Sequence, residues 1–212
     1  MAPRKLYIFP FNGNGIEALD CLNPAEYEFM GFIDDNEEKK KAKNPWPVYG
    51  REILENENEA FVLAVPGSPL SYPQRASHIA SLGLPEHRFA TVIHPGAHIG
   101  RQVRIGYNSL IMAGVVITSN AQVGNHVCIL PNTVIHHDAV VGDYTLIGCN
   151  VAVAGGTHIG ENCYIGSGTN IINGIKIGAR TLIGLGSNVL RGTTEQATIA
   201  GNPAKPIVKK EA

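Results

Sequence analysis

A strict six-residue spacing of β-branched aliphatics constrains this chain more than any other feature. From Ile93, every sixth residue up to Val189 is Ile or Val, 17 positions without a break. A helix cannot keep that rhythm, because 3.6 residues per turn drifts against a period of six. A hairpin sheet would instead show simple alternation interrupted by turns. Two residues before each aliphatic stands a small or β-branched residue, as at Ala97, Ser109, Ala121, Thr133, Thr145 and Thr157. Residues two apart on an extended segment face the same side. Each hexad therefore sends one large and one small side chain inward, which describes a narrow solenoid.

A longer period rides on the first. Gly106, Gly124, Gly142, Gly160 and Gly178 recur every 18 residues. Three hexads per coil stack these glycines at one corner of a triangular prism, where a Cβ would clash with the backbone. From Ile93 to Val189 the chain makes about five coils, a stack roughly 25 Å tall at one strand spacing per coil.

The first ninety residues read differently. Strands are predicted over Lys5 to Phe9, Phe29 to Ile33, Ala60 to Val65 and Arg88 to Val92, with helices over Ile16 to Leu22 and Gln74 to Leu82. This β-α-β-β-α-β order suggests a small parallel sheet. Ligands of such sheets sit beyond the carboxyl ends of the strands. Gly13-Asn14-Gly15, Asp34-Asp35 and Gly67 converge there. Glycines admit a ligand to the backbone, a helix start favours phosphate, and a carboxylate accepts hydrogen bonds from a base or sugar. The third glycine of a dinucleotide fingerprint is missing. Residues 37–43 read as an exposed charged loop, and Lys209-Lys210 as a solvated end.

The composition excludes several classes. With 17 basic and 18 acidic residues and a net charge of −1, the chain has no basic surface for nucleic acid or an anionic membrane. The four cysteines form no C-x-x-C pair, and Leu6–Phe9 is too short an apolar run for a signal core or a membrane span. The expected compartment is the reducing cytoplasm. Cys163 lies on an inward repeat position and reads as packing.

The repeat, the N-G-N-G turn, the F-I-D-D strand end, V-I-H-H-D-A-V-V-G-D within the hexads and A-G-N-P-A-K at residues 200–205 together resemble the bacterial sugar O/N-acyltransferase family. That family includes sialic acid O-acetyltransferases and acetyltransferases of nucleotide-linked 4-amino-4,6-dideoxy sugars. The resemblance implies an α/β N-terminal domain with a small parallel Rossmann-like sheet over residues 1–90. It implies a left-handed parallel β-helix over residues 91–190 and a tail, residues 191–212, closing the helix. It further implies a homotrimer with acetyl-CoA bound between subunits, a nucleotide-linked amino sugar as substrate, and no metal. By motif, His137 and Asp138 match the catalytic histidine and the acid after it. Gly155 matches the glycine whose N–H faces the thioester. Gly13, Asn14, Gly15, Asp34, Asp35 and Gly67 match nucleotide-sugar contacts, and Ser167 and Leu185 acetyl-CoA contacts. Leu146 stands where some members carry a second histidine against acetyl-CoA, so the contact there becomes apolar or is made elsewhere.

Acetyl transfer requires a base, a held oxyanion and two aligned substrates. An imidazole titrates near neutral pH and suits the first task. A neighbouring carboxylate orients it, a backbone N–H stabilises the oxyanion, and a shared cleft aligns the substrates. Of the eight histidines, the family match selects His137; the others read as surface or interface residues. Other readings are a sugar O-acetyltransferase, a zinc carbonic-anhydrase-like β-helix and a non-catalytic nucleotide-sugar scaffold. The histidine pair five residues apart that marks the zinc trimers is missing: Val141 and Gly142 follow His136 and His137 at that distance.

Overall fold

The structure is a computed structural model that describes residues 2–207. The Lys209-Lys210 pair lies outside the described residues. Seventeen two-residue strands run from β5 (Val92–Ile93) to β21 (Asn188–Val189), one per hexad. Each pairs in parallel with the strand one coil away, as Val134 pairs with Ala152 between β12 (Val134–Ile135) and β15 (Ala152–Val153). Three sheets result, one per face of the prism. In chain order the first face contains β14 (Leu146–Ile147), the second β12, and the third β13 (Val140–Val141).

The hexad aliphatics fill the prism. Ile117, Ile135, Ile147 and Ile165 are completely buried in one continuous cluster, and each such side chain contributes about 1.5–3 kcal/mol of burial. The small inward position carries hydroxyls with a second job. Thr133 Oγ1 donates to Gly148 O at 2.7 Å and Thr145 Oγ1 to Gly160 O at 3.0 Å, linking coil to coil. No buried hydroxyl is orphaned there, which is why threonine is tolerated in a core.

The corner glycines act through space rather than backbone freedom. Their φ values are not left-handed, but a Cβ on Gly142 would lie 2.6 Å from Glu161 N of the next coil. The left-handed residues come two positions later, on Asn108, His126, Tyr144 and Asn162. A second corner column, Gln102, Asn120, Asp138, Gly156 and Gly174, is left-handed too, and Asn, Asp and Gly suit that region best. The last coil is covered by β22 (Thr198–Gly201), parallel to β20 (Leu182–Ile183). From it β23 (Ala204–Pro206) folds back antiparallel, so A-G-N-P-A-K forms a hairpin.

The N-terminal sheet is parallel, in the order β3 (Val48–Tyr49), β2 (Tyr27–Ile33), β1 (Arg4–Phe9), β4 (Phe61–Ala64). The helix after β1, α1 (Gly13–Ala18), begins earlier than the apolar pattern suggests, because Asn12 caps it by accepting from Gly15 N–H. Residues 37–43 are not simply a loop. Asn36 caps a short exposed helix, α2 (Glu37–Lys41), with acidic residues first and lysines last, matching the helix dipole. β3 and the short helix α3 (Ile53–Asn56) escape the sequence reading because each is only a few residues long. The strand predicted over Arg88 to Val92 also departs. Glu86–Arg88 is a 3-10 turn, Phe89 makes one bridge to Val62, and Val92 already belongs to the solenoid.

One side of the sheet packs on the first face of the solenoid. Leu6, Ile8 and Leu63 share a buried cluster with Leu110, Met112, Cys128 and Leu146. Polar groups lock the seam. Asn108 donates to Ala64 O at 3.0 Å and accepts from Ala64 N at 2.7 Å, extending the edge of β4. Arg75, the first residue of α4 (Arg75–Ala80), is fully buried. It donates to Pro66 O and to His126 O, the latter at 2.7 Å. Among the described residues no helix is long and apolar enough to cross a membrane.

Candidate active site

His137 and Asp138 sit at the corner between the second and third faces, in the turn joining β12 to β13. Ile135 and Ala139 anchor the turn inward, so the side chains between them project outward. The imidazole Nδ1 lies 2.7 Å from Asp138 Oδ2. With the carboxylate accepting from Nδ1–H, the Nε2 lone pair is left free to take a proton. The other carboxylate oxygen accepts from Asn120 Nδ2 at 3.0 Å. His137 and Asn120 hold the Asp138 carboxyl below its ordinary value, in that order of weight, through these hydrogen bonds.

Gly155 occupies the same corner one coil later. A Cβ there would fall 2.6 Å from both Cε1 and Nε2 of His137. The basic edge of the imidazole therefore lies directly against this glycine, and no other residue leaves room for the ring. Gly156 N–H donates to His137 O at 3.0 Å, fastening the two coils. The Gly155 N–H makes no hydrogen bond among the described residues, so a donor stands unused beside the base.

The candidate cofactor contacts divide. Ser167 and Leu185 stack in adjacent coils at the corner between the first and second faces, where Leu185 is 81% exposed. Ser167 Oγ accepts from Cys149 N–H at 3.1 Å. The second face lies between this corner and the one bearing His137. Leu146 does not belong with them. It points outward from the first face and is 2% exposed, packed beneath the N-terminal sheet. That burial favours the second of the two expectations for this position, a contact with acetyl-CoA made elsewhere.

At the sheet end, Gly13 and Gly67 come together through Asn14, whose Nδ2 reaches Gly67 O at 3.5 Å. Gly67 has φ +138 and needs to be glycine. Around Gly13 a Cβ would meet open space, whereas one on Gly15 would strike Pro10 O at 2.7 Å. Gly15 is thus a packing residue, and Gly13 faces outward. The two aspartates play different parts. Asp34 is buried and accepts from Phe11 N–H, Asn36 N–H and Lys39 Nζ, at 3.1, 2.9 and 2.8 Å. Three of its roughly four acceptor positions are thus taken up in shaping the loops. Asp35 is exposed and forked to Arg51 at 2.6 Å through both oxygens.

Among the histidines read as surface or interface residues, His126 lies at an interface within the chain. It is buried at the seam, stacked on Tyr144 with ring centroids 4.6 Å apart, and Asn108 Nδ2 approaches its Nδ1 at 2.8 Å. Burial and the neighbouring Arg75 push its pKa down to about 4. It shares a left-handed corner with Asn108, 18 residues earlier, and only that spacing is visible in the sequence. Asn120 likewise stands 18 residues before Asp138, a separation of one coil that local pattern does not register. Cys163 packs inside the prism, where burial raises its thiol to about 11. Among the described residues, no three His, Cys, Asp or Glu side chains gather as a metal site.

Residues 120–155, which include His137, match the family described as bacterial transferase hexapeptide (six repeats). No curated protein sequence matches the chain. Solved structures resemble it over nearly its whole length. One is the acetyltransferase domain of PglB from Neisseria gonorrhoeae FA1090, in complex with acetyl coenzyme A. It is 25% identical, covering 97% of this chain and 100% of that one, with a TM-score of 0.83. PerB from Caulobacter crescentus, in complex with CoA and GDP-perosamine, is 24% identical over 98% of this chain and 99% of that one, with a TM-score of 0.85. WeeI from Acinetobacter baumannii AYE is 23% identical over 96% and 100%, with a TM-score of 0.79. The chain carries the hexapeptide-transferase repeat, and its architecture is a small parallel α/β sheet on a left-handed parallel β-helix.

Proposed function

We propose that the protein is an acetyl-CoA-dependent N-acetyltransferase acting on the amino group of a nucleotide-linked 4-amino-4,6-dideoxy sugar. The observation that carries this reading is the imidazole of His137, with Nδ1 engaged by Asp138 and the Nε2 edge against Gly155. The PglB domain, similar in fold and bound to acetyl coenzyme A, supports the choice of cofactor. In this reading the sugar amine attacks the thioester carbonyl while His137 Nε2 accepts the amine proton. The Gly155 N–H donates to the oxyanion, an interaction of the kind typically worth about 3 kcal/mol. Collapse of the tetrahedral species breaks the C–S bond, and His137 returns its proton to the departing thiolate. The products are the amide and free CoA.

Residues 1–90 would hold the nucleotide through Gly13, Asn14, Gly67 and Asp35, with residues 91–190 holding acetyl-CoA. Ser167 and Leu185 flank one side of the second face and His137 the other, so a cleft needs a further wall. In the middle coils of that face the outward strand residues, Val116, Val134 and Ala152, are apolar and only partly exposed, with the polar His98 before them and Asn170 and Asn188 after them. Apolar patches of this kind mark contact surfaces, and a homotrimer would supply the wall. The enzyme would act in the cytoplasm, in surface-glycan biosynthesis.

The test is a panel of nucleotide amino sugars with acetyl-CoA, read by thiol release. One member should turn over, and His137→Ala should lower kcat by roughly 10²-fold or more with the trimer intact. Turnover of that variant at the parent rate would remove His137 from its role. Turnover of hydroxyl sugars alone would favour the O-acetyltransferase reading.

A further inference from the structure

We infer that Asn120 is a positioning residue for the imidazole of His137, acting through Asp138 from the preceding coil. The inference deepens the proposed function and rests on His137 being the base.

Asn120 and Asp138 are equivalent residues of successive coils, 18 apart, at the same prism corner. Both have left-handed backbones, with φ 64 and 59. The Asn120 backbone is itself tied down, its N–H donating to Arg101 O at 3.0 Å, and Asp138 N–H donates to Ser119 O at 3.1 Å. Between these two fixed points the amide Nδ2 reaches Asp138 Oδ1 at 3.0 Å, while Oδ2 holds His137 Nδ1 at 2.7 Å. A carboxylate on an exposed turn otherwise rotates freely about its terminal torsion, which is broad and roughly two-fold. Holding one oxygen from below fixes the plane of the group and presents the other to the imidazole. The ring is then held with its Cε1–Nε2 edge against Gly155.

The amide does more than suit the backbone. At the same corner Gly156 and Gly174 take the same left-handed conformation without a side chain, with φ 67 and 70. A left-handed corner therefore needs no amide, and the donor is an addition. It also supports the charge on Asp138, lowering its carboxyl along with His137. A carboxylate that accepts from Nδ1–H selects the tautomer whose Nε2 is the free base, the nitrogen nearest Gly155.

Asn120→Gly separates the two roles, because glycine keeps the left-handed corner and loses only the donor. The expected result is a fall in kcat of about tenfold, with both KM values within twofold of the parent and an unchanged melting temperature. Outer partners of metal-bound imidazoles commonly cost 10–100-fold when removed, and the lower end of that range is the expectation for this metal-free imidazole. In parallel, the nitrogen chemical shifts of a ¹⁵N-labelled His137 should change from one Nδ1–H tautomer to a mixture. Asn120→Asp should behave likewise, since a carboxylate beside Asp138 cannot donate. A glycine variant with parent kcat, or with the single tautomer retained, would overturn the inference. The tautomer measurement needs no substrate. Failure of the whole panel to turn over would count against the proposed function, while the nitrogen shifts would still decide the role of Asn120.

Discussion

The contact between Gly155 and His137 sets up a sharp test, substitution of one methyl group. In Gly155→Ala the new Cβ would sit 2.6 Å from Cε1 and Nε2 and 3.1 Å from Cδ2 of the imidazole. Carbon contacts settle near 3.5–4.0 Å, so the ring must retreat by about 1 Å. It can do so cheaply. The His137 side chain is 64% exposed, and Gly155 has no left-handed φ for alanine to strain. The fold should therefore survive while the base leaves its position. A displacement of about 1 Å at reacting groups costs on the order of 10²-fold in rate, or about 2.7 kcal/mol of barrier. Steady-state thiol release should show kcat down about 100-fold and a melting temperature near the parent's. Gly156→Ala is the matching control. Its φ is +67 and only Gly174 Cα lies near, at 3.9 Å. That variant should lose about 1–2 kcal/mol of stability from backbone strain. A Gly155→Ala enzyme with parent kcat would refute both the seating of the ring and the role of Nε2.

Two further outcomes follow from the seam and the sheet end. Asp34→Ala should unfold at lower temperature, because Phe11 and Asn36 N–H groups and Lys39 lose their acceptor. A cost of about 1–3 kcal/mol is expected, whereas Asp35→Ala should keep stability and raise KM for the sugar nucleotide. His126 makes stability depend on pH. Its folded pKa of about 4 lies below the unfolded value near 6.5, so the unfolded chain binds more protons between those values. Stability is complete above about pH 6.5 and falls toward pH 4, by up to about 3 kcal/mol for this one group. Replacing it by Asn, which accepts the left-handed corner, should flatten that slope in thermal melts; an unchanged slope would assign the dependence to other groups.

What could be read from the chain alone was whatever repeats. Seventeen Ile or Val positions six apart leave no other periodic backbone, and the prism core contains all of them but Ile93, which is exposed at the open first coil. The N-terminal strands were visible for a related reason, since each is an apolar run bounded by polar turns. Short pieces such as β3 and α3 were not, because two to four residues carry no period.

Which side chains touch was settled only by stacking. Gly155 and His137, Asn120 and Asp138, and Asn108 and His126 are all 18 residues apart, one coil, and local pattern is blind at that range. Docking of the sheet on the first face likewise took Leu146 out of the solvent, and the loops around β1 and β2 brought three donors onto Asp34. An outward-pointing position is solvent or seam according to what packs upon it, and the hexad records only that it points outward.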